Sequence, residues 1–363
     1  MSEGPQPRLS LIFTVLNEAA ALPALLDSLA TQTRPPDEVI VVDGGSRDET
    51  VALLRAEKRF PLTIIEAPGA NISRGRNLAI AAASFPVIAS VDAGVRVDPH
   101  WLERLTAPFA QPSSVPAAVV QPPEQMVVPA TKLPGAQQPA VWVGGFFLPD
   151  VHSTFDVAMS ATVLPLLSDV NASTFLPSSR SVAFLKSAWQ ATGGYPEWLD
   201  YCEDLVFDFK LRASYGQCQF VPDALVYFRP RTSLRAFFKQ YYLYARGDGK
   251  ANLWFKRHMA RYATYLLALP VLVAGMVAPP DPIWRWLCAA VAAAGAIAYL
   301  RAPYRRLVAG WASLPAIEKL RAAALIPLIR VVGDVAKMLG YPVGVWWRWR
   351  HPHASAAANS AAT

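Results

Sequence analysis

The chain is poor in charge and in cysteine. Only 17% of its 363 residues are Asp, Glu, Lys or Arg, whereas 53% are hydrophobic, and the mean hydropathy is positive at +0.23. That balance is unusual for a wholly soluble protein and implies a segment that leaves water. The cysteines, Cys202, Cys218 and Cys288, show no paired or metal-type spacing, which fits a reducing compartment and excludes a disulfide scaffold. The N-terminus has no basic stretch followed by an apolar core, so no signal peptide is expected. Asn17-Glu18 follows the first apolar run where a phosphate-cradling Gly/Arg/Lys loop would stand, which argues against a nucleotidyltransferase.

Charge of one sign is also missing locally. Residues 246–363 hold 15 Lys/Arg against 4 Asp/Glu, while residues 1–245 hold 19 against 23. The basic residues flank apolar runs and do not form a stripe, so no nucleic-acid partner is expected. Tyr262 to Ala278 and Trp286 to Leu300 are uncharged runs of 17 and 15 residues, separated by Pro279-Pro280-Asp281-Pro282. A spanning helix needs roughly 17 to 25 residues, and the two runs read as a short hairpin of spans at 262–278 and 286–300. Lys256, Arg257 and Arg261 precede it; Arg301, Arg305 and Arg306 follow. The positive-inside rule then places both flanks in the cytoplasm, as in a multi-pass protein of the inner or plasma membrane. Leu307 to Trp349 reads as interfacial amphipathic helices or further poor spans. Trp346-Trp347-Arg348-Trp349-Arg350 suits an anchor at headgroup level, and the Ala/Ser-rich tail, 351–363, reads as disordered. The expected division is thus 1–245, an α/β catalytic domain, and 246–350, an all-α membrane module.

Residues 1–245 alternate strands with helices. Leu9–Val15, Glu38–Val42, Leu62–Glu66 and Val87–Val91 read as buried strands. Leu22, Leu25, Leu26 and Leu29 mark a helix with Asn17 as its expected N-cap, Ser46 to Glu49 a capping box, and Ser73–Ala83 a third helix. This pattern implies a mostly parallel sheet flanked by helices. Pro108–Pro149 reads as long loops. A helix (Thr154–Leu167), a strand (Arg180–Leu185), a helix opened by two acids (Glu203–Tyr215) and a strand (Phe220–Tyr227) follow. An open α/β sheet binds ligands at the carboxyl ends of its strands, where Asp43 and Asp92 stand. Asp43, with two glycines after it, suits a clamp on a ribose or base, or is a turn acid. Arg74 and Asn77 open a helix facing the same crevice, where Arg74 is either a nucleotide contact or a surface residue. Asp92 suits a metal-binding acid, because a hard cation needs only one or two carboxylates beside phosphates.

As an ordered set, Val15-Leu16-Asn17-Glu18, Val41-Val42-Asp43-Gly44-Gly45-Ser46, Arg74-Gly75-Arg76-Asn77, Val91-Asp92-Ala93-Gly94, Thr192-Gly193-Gly194-Tyr195 and Glu203-Asp204 resemble glycosyltransferase family 2 over roughly residues 8–250. The resemblance implies a GT-A, Rossmann-like fold and an inverting transfer from a nucleotide-diphosphate sugar. It implies Asp204 as the general base and Glu203 as its positioner or an acceptor contact. Glu18, Asp43, Arg74, Asn77 and Asp92 make the expected nucleotide-sugar-binding set. Arg246 joins it through the segment that holds the diphosphate in membrane-bound members, or is a plain membrane-flanking charge. The poor match there to Gln-x-x-Arg-Trp argues against a polysaccharide synthase. Asp92 is the first acid of the Asp-x-Asp metal motif, whose second acid is Gly94 here. Mg²⁺ or Mn²⁺ would therefore need another ligand, with Asp98, His152 and His258 as candidates. The expected acceptor is a hydroxyl of a lipid-linked or membrane-proximal molecule, used at the lipid bilayer in envelope glycan or glycolipid synthesis. The rivals are a polyprenyl-phosphate sugar transferase and a catalytically silent scaffold. A reporter fused after His353 is expected to read out in the cytoplasm; a periplasmic or extracellular signal refutes the hairpin.

Overall fold

The computed structural model describes residues 7–110, 140–278, 281–311 and 314–352. Its first half runs β1 (Leu9–Val15), α1 (Leu22–Ala30), β2 (Glu38–Asp43), α2 (Thr50–Ala56), β3 (Leu62–Glu66), α3 (Ile72–Ala82) and β4 (Val87–Ser90). Next come β5 (Val95–Val97), α4 (Trp101–Thr106), β6 (Trp142–Pro149), α5 (Thr154–Val163), β7 (Val182–Leu185), α6 (Lys186–Ala191), α7 (Glu203–Tyr215) and β8 (Gln219–Phe228). The strands form one sheet in the order β3-β2-β1-β4-β7-β6-β8-β5. The first four are parallel. Beyond β4 the sheet is mixed: β4–β7, β6–β7 and β5–β8 are antiparallel, and β6–β8 is parallel.

The apolar runs of β1 and β2 are continuous because helices cover both faces of the sheet. Leu11, Phe13 and Val41 pack with Leu22, Leu25 and Trp101 on one side. Ile12, Ile40 and Ile88 pack with Ile80, Phe207 and Leu211 on the other. Several local expectations are corrected. Asn17 is not a helix cap: it turns through φ +55°, and its Oδ1 accepts from the Arg47 amide at 2.9 Å. Ser46 likewise forms no capping box, since its Oγ accepts from the Asn17 amide at 2.8 Å. α5 stops at Val163 because Leu164, ahead of Pro165, is held extended. Within the stretch read as loops, β6 is a central strand; residues 111–139 lie outside the described residues. Gly144-Gly145 disguised β6, yet a Cβ at Gly145 would collide with Ser181 and Ala224 of the neighbouring segments.

The remainder is helical: α8 (Leu234–Lys250), α9 (Phe255–Ala263), a π turn at Thr264–Ala268, α10 (Leu269–Val277), α11 (Pro282–Gly310) and α12 (Ala316–Arg350). Among the described residues, the continuous helix Phe255–Val277 and the helix Pro282–Gly310 are long and apolar enough to cross a membrane, and the rest of the molecule does not cover their apolar stretches. Among the described residues, Leu307–Trp349 comprises the end of α11 and one helix, α12, and α12 is not among the helices apolar enough to cross a membrane. The Pro279-Pro280 turn and the tail from residue 353 lie outside the described residues.

α12 lies directly on α8. A Cβ at Gly344 would run into the Arg246 carbonyl oxygen, and one at Gly340 into that of Tyr242. The expected division at 245/246 therefore falls inside α8, whose two ends serve both halves of the chain. Phe237, Ile326, Ile329, Leu307 and Met159 form a further core that ties α8, α11 and α12 to α5. Backbone cannot retreat from an added methyl as a flexible side chain can, so overpacking there costs about 1–3 kcal/mol or more. Gly344→Val is expected to lower the thermal midpoint by several degrees or abolish folding. Val343→Ala, at an exposed neighbour, should leave the midpoint within about 2 °C.

Candidate active site

The carboxyl ends of β1, β2 and β4 open into one cavity of about 1220 Å³. Glu18, Gly44, Arg76 and Asp92 line it together with Arg180, Glu203 and Asp204. The cavity then continues past Tyr244 on α8 to His258 on α9 and Lys337 on α12.

Arg76 stands at its centre. The side chain is 3% exposed, and its guanidinium donates to Glu203 Oε1 at 2.5 Å and to Asp92 Oδ1 at 3.0 Å. Burial works against its charge, but the Glu203 and Asp92 carboxylates outweigh it and hold the group above its ordinary range. Arg180 approaches Asp92 from the other side, Nε to Oδ2 at 3.6 Å, with its guanidinium over the Phe228 ring at 4.1 Å. Asp92 thus sits between two cations.

Glu203 and Asp204 open α7 behind Cys202, which adopts φ +64°. Its thiol donates to the Tyr244 carbonyl at 3.3 Å and Asp248 Oδ1 at 3.4 Å. Burial, and then the neighbouring Asp204 carboxylate, push Glu203 above the usual carboxylate range, against the opposing Arg76. Asp204 is half-buried and faces the cavity, with Oδ1 accepting from the Leu205 amide at 2.9 Å. The pair therefore divides its tasks, one acid bound to Arg76 and the other presented to a ligand. Glu18 is raised by burial, with Asp92 and Asp48 adding to the rise and Arg231 opposing it.

The other expected site residues are placed as follows. Asp43 is buried at the end of β2, where its carboxylate accepts from the Gly45 amide at 2.9 Å and the Ser46 amide at 3.0 Å. It shapes the turn whose Gly44 lines the cavity. Arg74 is exposed on the far side of α3 and is not part of the lining. Asn77 is a strut: it donates to the Tyr195 carbonyl at 2.9 Å and accepts from the Tyr195 amide and Trp189 Nε1, each at 3.0 Å. Arg246 pairs with Asp200 and lies outside the lining. Lys250, one helical turn on, pairs with the same Asp200 at 3.0 Å.

Sequence reasoning missed Arg76, Arg180 and Arg231. The signal for Arg76 was present, since Ser73, Arg76 and Ile80 recur on the buried face of α3. Of the other metal candidates, Asp98 accepts from the His100 amide at 3.0 Å in the turn before α4, His152 meets Asp150 at 3.2 Å, and His258 meets Asp248 at 3.1 Å. Among the described residues, no cluster of three or more His, Cys, Asp or Glu side chains is placed to hold a metal ion.

A deep, arginine-rich crevice at the strand ends of a mixed α/β sheet, with a carboxylate facing into it, suits a phosphate-bearing ligand. Residues 10–146 match the family described as Glycosyl transferase family 2. The chain is 24% identical over 241 residues to the O-antigen chain rhamnosyltransferase of Salmonella typhimurium, covering 65% of this chain and 70% of that protein. It is 35% identical over 119 residues to the validoxylamine A glucosyltransferase of Streptomyces hygroscopicus subsp. limoneus, covering 31% of this chain and only 26% of that protein. A solved mannosyltransferase from Pyrobaculum calidifontis, in complex with GDP-Man and Mn²⁺, is 17% identical with a TM-score of 0.49, over 96% of this chain and 88% of that one.

Removing one partner of a buried ion pair leaves an uncompensated charge and costs about 3–5 kcal/mol. Arg76→Met is therefore expected to lower the thermal midpoint by many degrees and to abolish turnover. Arg74→Ala should stay within about 0.5 kcal/mol of wild type. Equal midpoints for the two variants would contradict the central role of Arg76.

Proposed function

We propose that the protein transfers a sugar, with inversion, from a nucleotide-diphosphate sugar to a hydroxyl of a lipid-linked or membrane-proximal acceptor, and that it works from the cytoplasmic face of a membrane. One observation carries the reading. Asp204 faces the same cavity as Asp92, Arg76 and Arg180, and that cavity continues to the base of the apolar helix Phe255–Val277. The name of the Salmonella relative, an O-antigen chain rhamnosyltransferase, supports an envelope-glycan acceptor.

In this reaction Asp204 takes the proton of the acceptor hydroxyl as its oxygen bonds to the anomeric carbon. The carbon–oxygen bond to the diphosphate breaks on the opposite face, and the nucleoside diphosphate leaves with the electron pair. Glu203, fixed by Arg76, is a positioning residue that holds the start of α7. Arg180 and Arg231 offer guanidinium groups to the departing phosphates, which such groups bind bidentately. Mg²⁺ or Mn²⁺ would have to arrive with the donor, since both Asp92 oxygens face arginines, Arg76 and Arg180. Asp92 would supply one carboxylate and the phosphates further oxygens, and Gly94 leaves open space beside it. When bound, the ion neutralises charge on the leaving group.

The test uses the full chain in detergent, a panel of nucleotide sugars and Mn²⁺, with nucleoside diphosphate release as the readout. Loss of a general base typically costs about 10²–10⁴ in rate, and Asp204→Asn is expected to fall in that range with the donor KM little changed. No release from any donor by wild type, or an Asp204→Asn variant as fast as wild type, overturns the reading. A polyprenyl-phosphate acceptor already carries its nucleophilic oxyanion, so such an enzyme would tolerate Asp204→Asn.

A further inference from the structure

Most cations around the cavity already have a carboxylate. Arg76 has Glu203 and Asp92, Arg229 has Asp156 at 3.2 Å, His258 has Asp248, and Arg261 has Asp334 at 2.7 Å. Among the described residues no ion pair is formed by Arg231, Arg257 or Lys337, all of which line the cavity. Arg231 lies toward Glu18 and the donor end. Arg257 and Lys337 lie at the other end, on α9 and α12.

Lys337 is a costly residue to place there. Its ammonium stands over the Tyr241 ring at 4.7 Å. Burial, followed by the Arg261 charge, pulls it down to about 8, while Asp334 and Asp248 oppose that shift and Arg330 adds to it. Arg257 sits at the mouth, its guanidinium over the Trp254 ring at 4.3 Å. Five residues further along the same helix comes Tyr262, where the uncharged run begins, a rise of about 7.5 Å. Arg257 therefore stands near the level at which the helix would enter a bilayer, where the phosphates of a membrane-held molecule would lie, and Lys337 is one turn of α12 from Asp334, which pairs with Arg261 of α9.

We propose that Arg257 and Lys337 form an anion subsite, separate from the donor diphosphate site, that binds the phosphate linking the acceptor glycan to its lipid. The proposal rests on the glycosyltransferase reading and narrows its acceptor to a lipid phosphate or diphosphate carrying a sugar. The lipid would lie beside Phe255–Val277, the phosphate between Arg257 and Lys337, and the sugar would point along the cavity to Asp204. Asp248–His258–Arg261–Asp334 forms a paired wall beside the subsite and leaves these two cations as the ones available to a ligand.

The test is a binding measurement and needs no turnover, so its failure is distinct from failure of the sugar-transfer assay. The full chain is placed in phosphatidylcholine nanodiscs and titrated with farnesyl diphosphate, using fluorescence of Trp254 and its neighbours together with a radiolabel count. Farnesol is the neutral control. Wild type is expected to bind farnesyl diphosphate at least about tenfold more tightly than farnesol, and Lys337→Gln and Arg257→Gln should each lose about tenfold. Lys337→Arg should retain binding, and UDP or GDP binding should be unchanged in all three variants. Arg257 is exposed, so its variant keeps the test valid if Lys337→Gln fails to fold. The proposal is overturned if farnesol binds as tightly as the diphosphate or if the glutamine variants bind like wild type. Displacement of the probe by nucleoside diphosphate would assign the cations to the donor. Displacement by phosphatidylglycerol would assign them to bulk lipid headgroups.

Discussion

The buried Arg76 guanidinium is the constraint on which the site depends. It extends from α3, in the parallel half of the sheet, to Asp92 after β4 and to Glu203 at the start of α7. These segments are far apart in sequence, and the ion pairs fix their spacing where little water screens charge. The position of Asp204 follows from that spacing, because Glu203 is bound to Arg76 and the next residue around the helix turns to the cavity. Asn77, on the same helix, holds the Gly194-Tyr195 segment against the other side of α7, and Tyr195 packs on Phe207. One short helix therefore sets both the charge and the floor of the crevice.

The parallel half of the fold was legible because its strands are buried on both faces and read as unbroken apolar runs. The mixed half was not. β5 has three residues, and β6 carries adjacent glycines that suit close strand approach but look like loop. The site followed the same division. Acids beside apolar elements stand out, and Asp92 just after β4 and Glu203 and Asp204 at the start of α7 all line the cavity. The arginines were harder, since helical phase decides between Arg74 and Arg76, and only the pattern of Ser73 and Ile80 reveals it. Asp43 shows the opposite effect: it stands at the expected strand end, but its oxygens turn to the amides of the following turn. Arg246 was drawn away by Asp200, a partner that sequence spacing gave no reason to consider.

The helical half departs from an appended anchor. α8 follows β8 and lies against α12, and the cavity is lined there by α8 and α12 together with α9, the start of the apolar helix Phe255–Val277. Two glycines make that closeness possible by allowing main chain to touch main chain. The core around Phe237 and Ile329 then fastens the pair to α5.

The left-handed Cys202 has a consequence of its own. Its thiol binds the α8 carbonyl of Tyr244 and the carboxylate of Asp248, which in turn holds His258 at the start of the span. The turn that carries Asp204 is therefore joined to the apolar helix Phe255–Val277 through three side chains, Cys202, Asp248 and His258. The cavity-facing carboxylate and the apolar helix are thus held by one run of polar contacts, so the geometry of the one is tied to the placement of the other.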